Sequence, residues 1–241
     1  MEEIFEKTGS VTVSMTDKSG LLTYADVFRL FMDIAGDHAE RIGVGIADMK
    51  KKGLFWLTVR TKIRYYYRPR LFEAITVRTW PMAPERVRGL RCYELVSDEG
   101  LAASGKTEWA VMNIETGRVA SLAGVYPEGL RFPETLSLEA AFSRISPENA
   151  EPYAEYRVRS SDIDVGGHMN NVAYIDALMG SFSSDELERL RPSDIEAVFR
   201  APCFEGDALT FSRLKTGSGF DAVLKRGETP VFLARLTGSE A

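Results

Sequence analysis

Apolar residues recur at helical spacing near the start of the chain and then change to strict alternation. From Leu21 to Ile42 they fall three or four positions apart, which predicts an amphipathic helix with Gly43 as its stop signal. From Val59 to Arg68 apolar and polar positions alternate, which predicts a half-buried strand that Pro69 ends. Three further strands are predicted, at Ala74–Trp80, Leu90–Val96 and Gly105–Ile114. The turn at 97–100 makes the last two a hairpin, so one long helix precedes an antiparallel meander.

A second stretch of the same kind follows a change in composition. The residues from Arg118 to Pro152 include four prolines and show little periodicity, which predicts a connection with at most one short helix, near Leu136–Phe142. The pattern then restarts with a strand at Tyr153–Arg159 and a helix from about Asn170 to Gly180. Four more strands are predicted, at Ile195–Arg200, Ala208–Leu214, Phe220–Lys225 and Val231–Leu236.

The two halves share the order of their elements and two short segments. Asp17–Gly20 and Asp162–Val165 both precede a helix, and the segment 68–75 resembles 201–209 with one insertion. Order and spacing therefore predict a duplicated unit and an α+β fold. We expect three parts, an N-terminal unit at 1–118, an inter-domain linker at 119–152 and a C-terminal unit at 153–241.

Composition narrows the class of protein. With 241 residues, 44% of them hydrophobic, and a net charge of −5, the chain suits one large or two small globular domains and lacks the basic excess of a nucleic-acid-binding protein. No secretory signal begins the chain, and no run approaches the roughly 18 apolar residues of a membrane span. With only Cys92 and Cys203, a disulfide framework is not expected. These features predict a cytoplasmic protein without a nucleic-acid or membrane partner.

The segment Ser161–Asn171 carries the residue types best suited to chemistry. It holds Asp164, a glycine pair and His168, one of only two histidines, directly before a predicted helix. An imidazole can orient water or donate to a carbonyl, and an aspartate can fix its orientation. The same residue types are also common in turns and helix caps, so a structural role for the segment is an equal alternative.

The glycine pair adds a second feature to this segment. Backbone N–H groups of a loop that enters a helix lie at the positive end of the helix dipole, where they can hold a developing oxyanion. The candidate donors are the N–H groups of Gly166, Gly167 and Met169.

The other candidates for chemistry have simpler explanations. His38 lies on the apolar stripe of the first helix, which predicts a buried structural histidine. Cys203 follows a proline near a predicted strand, and a lone cysteine is usually a buried small hydrophobe. The two histidines are far apart in sequence, so no metal site is predicted. The chain also has no GxSxG motif and no phosphate-binding glycine loop.

Basic residues are concentrated between Arg60 and Arg91. That stretch holds nine of them against Glu73 and Glu85, a local excess of +7 in a chain whose net charge is −5. Such a surface can steer a small acidic partner, although it can equally be a solvated sheet face. Arg64 and Arg68, with Trp56 just upstream, are the candidate substrate-binding residues.

Several short segments form an ordered pattern along the chain. They are Ala35–Gly43, Leu54–Trp56, Thr79–Pro81, Asp98–Gly100 with Trp109, Ser161–Asp164, His168–Asn171 with Tyr174, and Phe204–Asp207. Taken in this order, they resemble the acyl-acyl-carrier-protein (acyl-ACP) thioesterases of plants and bacteria. Their order over most of the chain is more specific than any one of them.

The resemblance implies two tandem hot-dog units, each an antiparallel sheet wrapped around a long helix. It places the acyl pocket mainly in the N-terminal unit and the catalytic centre in the C-terminal unit. The implied reaction is hydrolysis of fatty acyl-ACP to free fatty acid, without a metal or other cofactor. The implied partner is acyl-carrier protein with its phosphopantetheine-linked acyl chain. Asp164 and His168 match the family's catalytic residues, and Cys203 matches a cysteine of many members.

Two positions depart from the family's pattern. Gly166 stands where the family has an orienting asparagine, and Pro202 stands where it has a glutamate that can act as general base. Loss of a general base typically lowers the rate by roughly 10²–10⁴. Glu205, nearby in sequence, is a possible substitute. Alternative functions are therefore a catalytically impaired acyl-chain or carrier-protein binding protein, and an acyl-CoA thioesterase; a monomer and a homodimer are both feasible.

Overall fold

The computed structural model describes residues 4–238, and the chain divides into two compact units at 1–140 and 141–241. We call these the N-terminal and the C-terminal unit below. The division falls inside the stretch for which the sequence pattern predicts a linker. Each unit combines an antiparallel sheet with helices, so the predicted α+β fold class is confirmed.

The N-terminal unit is built around one long helix. Its helices are α1 (Tyr24–Arg41) and α2 (Ile46–Lys51). Its strands are β1 (Phe5–Ser10), β2 (Leu54–Tyr65), β3 (Ala74–Pro81), β4 (Gly89–Ser97), β5 (Gly100–Asn113) and β6 (Val119–Ala120). The strands pair antiparallel in the spatial order β1, β3, β4, β5, β2, and β6 adds a short pairing to β5.

Helix α1 confirms the helix predicted from the periodicity of the apolar residues. Thr23 caps its N-terminus by accepting a hydrogen bond from the N–H of Asp26 at 3.0 Å, which satisfies a donor that has no partner within the helix. One face of α1 packs against the sheet, as the stacking of Phe31 on Tyr93 at 5.0 Å between ring centroids shows. His38, near the end of the helix, is 2% exposed, so the predicted buried histidine is confirmed.

Short elements of the N-terminal unit were not predicted. Strand β1 has one buried residue in six, and α2 is less than two turns long, so neither carries a readable period. Strand β2 starts at Leu54 and ends at Tyr65, earlier at both ends than the predicted strand. Its predicted alternation holds over Thr61, Ile63 and Tyr65, which are buried.

The residues after β6 pack on the N-terminal unit. Leu122, Val125 and Leu130 join a hydrophobic cluster with residues of α2 and β5. Further along, the indole N–H of Trp80 donates to the Thr135 carbonyl at 2.9 Å. Between β6 and residue 150 the structure has no helix, so the short helix that the sequence allowed near Leu136–Phe142 does not form.

The C-terminal unit repeats the plan with shorter helices. Its helices are α3 (Asn171–Gly180) and α4 (Ser184–Leu190). Its strands are β7 (Glu151–Arg157), β8 (Pro192–Phe199), β9 (Ala208–Thr216), β10 (Gly219–Arg226) and β11 (Thr229–Gly238). They pair antiparallel in the order β8, β11, β10, β9, β7. The predicted helix and all five predicted strands are present, whereas α4 was not predicted.

Candidate active site

The segment between β7 and α3 forms a tight hairpin ahead of the helix. Ile163 and Met169 pair as an isolated antiparallel bridge. Inside it, the N–H of Asp164 donates to the His168 carbonyl at 3.0 Å, and the N–H of Gly167 donates to the Asp164 carbonyl at 3.0 Å. Gly167 has a φ of +78°, in the left-handed region that glycine adopts without strain. The hairpin is thus fixed by its own backbone.

Asp164 and His168 present their side chains on this hairpin. The distance from Asp164 Oδ1 to His168 Nδ1 is 3.9 Å, too long for a hydrogen bond, and the two side chains are 28% and 29% exposed. A Cβ atom placed on Gly166 would lie 3.0 Å from Asp164 Oδ1 and 3.0 Å from His168 Nε2. Position 166 therefore lies beside both side chains, and glycine places no side chain of its own there.

The three N–H groups proposed as oxyanion donors already donate inside the protein. Gly166 donates to Asp164 Oδ1 at 2.8 Å, Gly167 to the Asp164 carbonyl, and Met169 to the Cys203 carbonyl at 2.8 Å. A bound oxyanion would have to replace one of these bonds. Only the bond of Gly166 ends on a side chain, which can rotate away without opening the hairpin.

The turn that precedes β9 lies against the hairpin. Besides the bond from Met169, the hydroxyl of Tyr174 in α3 accepts from the N–H of Cys203 at 3.1 Å and donates to the Ala201 carbonyl at 3.3 Å. From the other side, Arg226 donates to the Pro202 carbonyl at 3.2 Å and to Asp207 at 2.8 Å. Helix α3 and strand β10 therefore hold this turn beside Asp164 and His168.

The side chains of this turn differ sharply in exposure. Cys203 is fully buried, and burial raises the pKa of its thiol, although a hydrogen bond with Tyr174 acts in the opposite direction. The thiolate, which is the nucleophilic form, is therefore disfavoured. Pro202 and Glu205 are both exposed.

The N-terminal unit contains a second copy of the hairpin. Thr16 and Leu22 form an isolated antiparallel bridge just before α1, as Ile163 and Met169 do before α3. Each internal hydrogen bond of the Asp164 hairpin has a counterpart here. The N–H of Asp17 donates to the Leu21 carbonyl at 3.0 Å, that of Gly20 to the Asp17 carbonyl at 2.9 Å, and that of Ser19 to Asp17 Oδ1 at 2.8 Å. The bonds of the Asp164 hairpin are thus part of the repeated fold. They match Asp17–Gly20 with residues 164–167, so the match to Asp162–Val165 inferred from the sequence is wrong by two residues.

The turns beside the two hairpins also match. Leu22 donates to the Pro69 carbonyl at 2.8 Å, as Met169 does to that of Cys203. Each turn has a left-handed residue two positions before the next strand, Phe72 (φ +67°) before β3 and Gly206 (φ +84°) before β9. Residues 68–74 therefore correspond to 202–208 without a gap, and the insertion inferred from the sequence is wrong.

Two substitutions separate the two copies chemically. In the N-terminal unit Leu21 occupies the place of His168, and Arg68 occupies the place of Pro202. Arg68 reaches across to Asp17 Oδ2 at 2.6 Å. A long side chain at position 202 would be expected to reach Asp164 in the same way. Only the C-terminal copy carries an imidazole.

Two family models match the chain, one in each unit. The acyl-ACP thioesterase N-terminal domain matches residues 2–128, and the acyl-ACP thioesterase C-terminal domain matches residues 145–229.

The chain belongs to the acyl-ACP thioesterase family.

Known thioesterases of this family support the assignment. The chain is 26% identical over 208 residues to the oleoyl-acyl carrier protein thioesterase of Coriandrum sativum, covering 78% of this chain and 56% of that protein. It is 27% identical over 197 residues to the palmitoyl-acyl carrier protein thioesterase of Arabidopsis thaliana, covering 75% of this chain and 46% of that protein. The chain thus spans about half the length of these curated relatives.

Solved structures of acyl-ACP thioesterases share the fold over nearly the whole chain. One from Bacteroides thetaiotaomicron is 24% identical with a TM-score of 0.88, covering 98% of this chain and 97% of that one. The 12:0-ACP thioesterase of Umbellularia californica is 18% identical with a TM-score of 0.84 and the same coverage. The predicted tandem hot-dog fold is confirmed.

The candidate substrate-binding residues of this acyl-ACP thioesterase family member lie in the N-terminal unit. Arg68 pairs with Asp17 and lies over the Tyr24 ring at 4.6 Å. The indole N–H of Trp56 donates to the Val44 carbonyl at 2.9 Å. Arg64 is half-buried on β2.

The basic stretch carries a smaller excess of positive charge in the structure than its sequence suggests. Arg60 pairs with Glu108 at 2.8 Å, and Arg78 pairs with Glu6 at 3.0 Å. These carboxylates lie outside the stretch in sequence and reach it through strand pairing, so a count along the chain could not include them.

Tyr174 and Arg226 are the contributors to the site that residue types alone did not reveal. The sequence signal for Tyr174 was its place among the segments that resemble the family, whereas nothing marked Arg226. Within residues 4–238 no group of His, Cys, Asp or Glu side chains is placed to hold a metal ion. None of the helices in that range is long and apolar enough to cross a membrane.

Proposed function

We propose that this protein hydrolyses the thioester of a fatty acyl group carried on acyl-carrier protein and releases the free fatty acid. The observation that carries the proposal is the placement of Asp164 and His168 on one rigid hairpin in a chain matched by both thioesterase domain families. The duplicated hairpin of the N-terminal unit has a leucine in place of the histidine, which leaves the C-terminal unit as the proposed catalytic unit.

In the proposed reaction, His168 takes a proton from a water molecule as that water attacks the carbonyl carbon of the thioester. The carbonyl oxygen becomes an oxyanion, which the N–H of Gly166 holds after Asp164 Oδ1 releases it. The carbon–sulfur bond then breaks, and His168 returns the proton to the sulfur of the pantetheine arm. The products are a carboxylic acid and the carrier's free thiol.

Asp164 is the proposed positioning residue. Its Oδ1 lies 3.9 Å from His168 Nδ1, so a small rotation would close a hydrogen bond that fixes the orientation of the imidazole. We propose no nucleophilic role for Cys203, because it is buried and its thiol pKa is raised. Its place beneath the turn indicates a packing role.

The proposed acyl pocket lies in the N-terminal unit, between α1 and its sheet. The proposed partner is the acyl-carrier protein, an acidic molecule that the basic residues of β2 would attract even after the internal ion pairs are counted. We propose that Arg64 contributes to this attraction, whereas Arg68 holds the duplicated hairpin through Asp17.

A binding protein without catalysis is the second candidate function. The observation in its favour is that Gly166 and Pro202 replace the family's asparagine and glutamate, and that Glu205, the nearest substitute in sequence, is exposed. An acyl-CoA thioesterase is a further alternative, because coenzyme A carries the same pantetheine arm.

The test compares one medium-chain and one long-chain acyl group, each carried on acyl-carrier protein and on coenzyme A. We expect release of free acid from at least one carrier-protein substrate, with a higher kcat/KM than for the matching coenzyme A ester. Faster turnover of the coenzyme A ester would make the protein an acyl-CoA thioesterase. Saturable binding of acyl-carrier protein without release would make it a binding protein.

A further inference from the structure

The interior of the N-terminal unit contains a polar cluster that the proposed reaction does not use. It lies between α1 and the sheet, around His38 of α1 and Arg91 of β4. Arg91 donates a hydrogen bond to His38 Nδ1 at 3.0 Å and another to the Thr79 hydroxyl at 3.3 Å. Both His38 and Arg91 are more than nine-tenths buried. An arginine inside a small unit is costly unless something compensates its charge.

No carboxylate of residues 4–238 lies within ion-pair distance of Arg91. The charges that act on His38 are also positive, because they come from Arg91 and Arg41. The cluster is therefore an interior site of positive potential. A group of opposite charge would stabilise it.

An unused hydrogen-bond donor lies beside this charge. Because His38 Nδ1 accepts from Arg91, the neutral ring carries its hydrogen on Nε2, and that atom is buried without a partner in the described chain. Tyr93 and Trp109 lie on the same sheet face as Arg91, and the buried Tyr93 hydroxyl is close to the Trp109 indole N–H. Buried polar groups are almost always hydrogen-bonded, so an unpaired imidazole N–H beside an uncompensated guanidinium needs an explanation.

The chemistry of these groups defines the ligand. A guanidinium and an imidazole N–H only donate, so the matching group accepts hydrogen bonds and carries negative charge. The neighbouring side chains are apolar, since Phe5 stacks on His38 at 5.4 Å and Phe31 stacks on Tyr93 at 5.0 Å. The body of the ligand should therefore be apolar.

We propose that His38 and Arg91 form a binding site for the carboxylate of an aliphatic acid inside the N-terminal unit. The carboxylate can be that of a free fatty acid or a second carboxylate on an acyl chain. The site does not rest on the hydrolysis proposed above, because it is defined by binding alone.

The chain offers a direct probe, since His38 and His168 are its only histidines. We would record the imidazole nitrogen signals of the labelled protein by NMR at neutral pH while adding octanoate or 1-octanol, which differ in the head group. Octanoate should shift the His38 signal saturably and bind about tenfold or more tightly than the alcohol. A shift confined to His168, or equal affinity for acid and alcohol, would overturn the proposal.

A variant separates the charge from the apolar contacts. Arg91→Met keeps most of the side-chain volume and should weaken octanoate binding roughly 10- to 100-fold while leaving that of octanol unchanged. Arg78→Met, an arginine of β3 that pairs with Glu6 at the surface, is the matched control and should bind octanoate as the wild type does. Unchanged octanoate binding by Arg91→Met would contradict the site. If that variant does not fold, the wild-type comparison of acid and alcohol decides alone.

A half-ester distinguishes the two sources of the carboxylate. Monomethyl suberate carries an ester at one end, as an acyl chain does, and a carboxylate at the other. Tighter binding of the half-ester than of octanoate at the His38 signal would assign the site to a second carboxylate on the acyl chain. Tighter binding of octanoate would assign it to a free fatty acid. Binding of neither at that signal would overturn the proposal.

Discussion

Positions 166 and 202 carry the two departures from the family's pattern, one in the Asp164–His168 hairpin and one in the turn beside it. The Cβ of any residue at 166 would lie 3.0 Å from both side chains. Position 202 corresponds to Arg68, whose side chain spans to the equivalent aspartate at 2.6 Å. The two departures from the family's pattern therefore face the candidate catalytic pair.

We predict that Pro202→Glu increases thioesterase activity, and that adding Gly166→Asn increases it further. The new carboxylate would supply the base that Pro202 cannot, a contribution of roughly 10²–10⁴ in rate when the geometry is optimal, and we expect the lower part of that range. The measurement is the single-turnover rate on acyl-ACP. Glu205→Gln serves as the control and should have little effect, because Glu205 is exposed. If Pro202→Glu leaves the rate unchanged while folding normally, position 202 does not face the site.

Cys203 is buried in the turn and has no role in the proposed reaction, so we expect its thiol to be dispensable. We predict that Cys203→Ala changes kcat/KM by no more than about threefold, since a missing nucleophile would instead abolish turnover. Cys92→Ala provides the matched control, because Cys92 is the other buried cysteine and lies in the N-terminal unit. A loss of activity confined to Cys203→Ala, in a variant with normal stability, would restore the nucleophile interpretation.

At the scale of elements, the repeated turn places different residues in one conformation. Phe72 and Gly206 are equivalent and both left-handed, yet only Gly206 adopts that conformation without strain. Phe72 is also exposed, so it loses little burial when replaced. The fold therefore carries an avoidable strain in the N-terminal unit.

We predict that Phe72→Gly raises the free energy of unfolding by about 0.5 kcal/mol, the strain relieved being partly offset by the larger backbone entropy of glycine in the unfolded chain. The reciprocal change, Gly206→Ala, should lower it by about 1 kcal/mol. Urea unfolding of the two variants beside the wild type measures both. A destabilised Phe72→Gly variant would show that the phenylalanine contributes contacts that outweigh the strain.

The end of helix α1 carries a pH-dependent contribution to stability. Burial, together with the charges of Arg91 and Arg41, lowers the pKa of His38 from 6.5 to about 4. Below its ordinary pKa the unfolded chain binds a proton that the folded chain does not, so this histidine destabilises the fold as the pH falls from 6.5 towards 4. Above pH 6.5 the imidazole is mostly neutral in both the folded and the unfolded chain, so His38 causes no such loss of stability there.

We predict that the wild type loses more free energy of unfolding than His38→Asn between about pH 7 and about pH 5, with a difference of at most ~1.4 kcal/mol per pH unit. Asparagine is a suitable replacement because its carbonyl oxygen can still accept from Arg91 and does not titrate. Urea unfolding at the two pH values measures the effect. Parallel losses in both proteins would show that His38 binds its proton equally well in the folded and unfolded states.

For the whole molecule, periodicity predicted the long elements and missed the short ones. Helix α1 and the strands of both sheets follow from their apolar spacing, whereas β1 and α2 carry too few buried positions to show a period. The packing of 122–130 on the N-terminal unit was also invisible, because its apolar residues are separated by irregular chain. A local sequence pattern predicts a helix or a strand, whereas these packing contacts depend on residues that are distant in sequence.

The candidate site was predictable to a similar extent. The sequence placed Asp164 and His168 on one loop before a helix, and the structure brings Tyr174 and Arg226 to the adjoining turn. The sequence could not show that the loop's N–H groups already donate internally, or that the buried Arg91 meets His38. Hydrogen-bond partners distant in sequence are set by the fold, so residue types alone do not specify them.

The proposed function assigns thioester hydrolysis to His168 in the C-terminal unit. Single-turnover release of fatty acid from acyl-ACP tests this role in the wild type, His168→Ala and Glu228→Ala, the last replacing a residue whose side chain is 99% exposed. We predict release by the wild type and by Glu228→Ala, and a loss of roughly 10²-fold or more in His168→Ala. Undiminished release by a folded His168→Ala variant would exclude His168 as the general base and move the chemistry away from this hairpin.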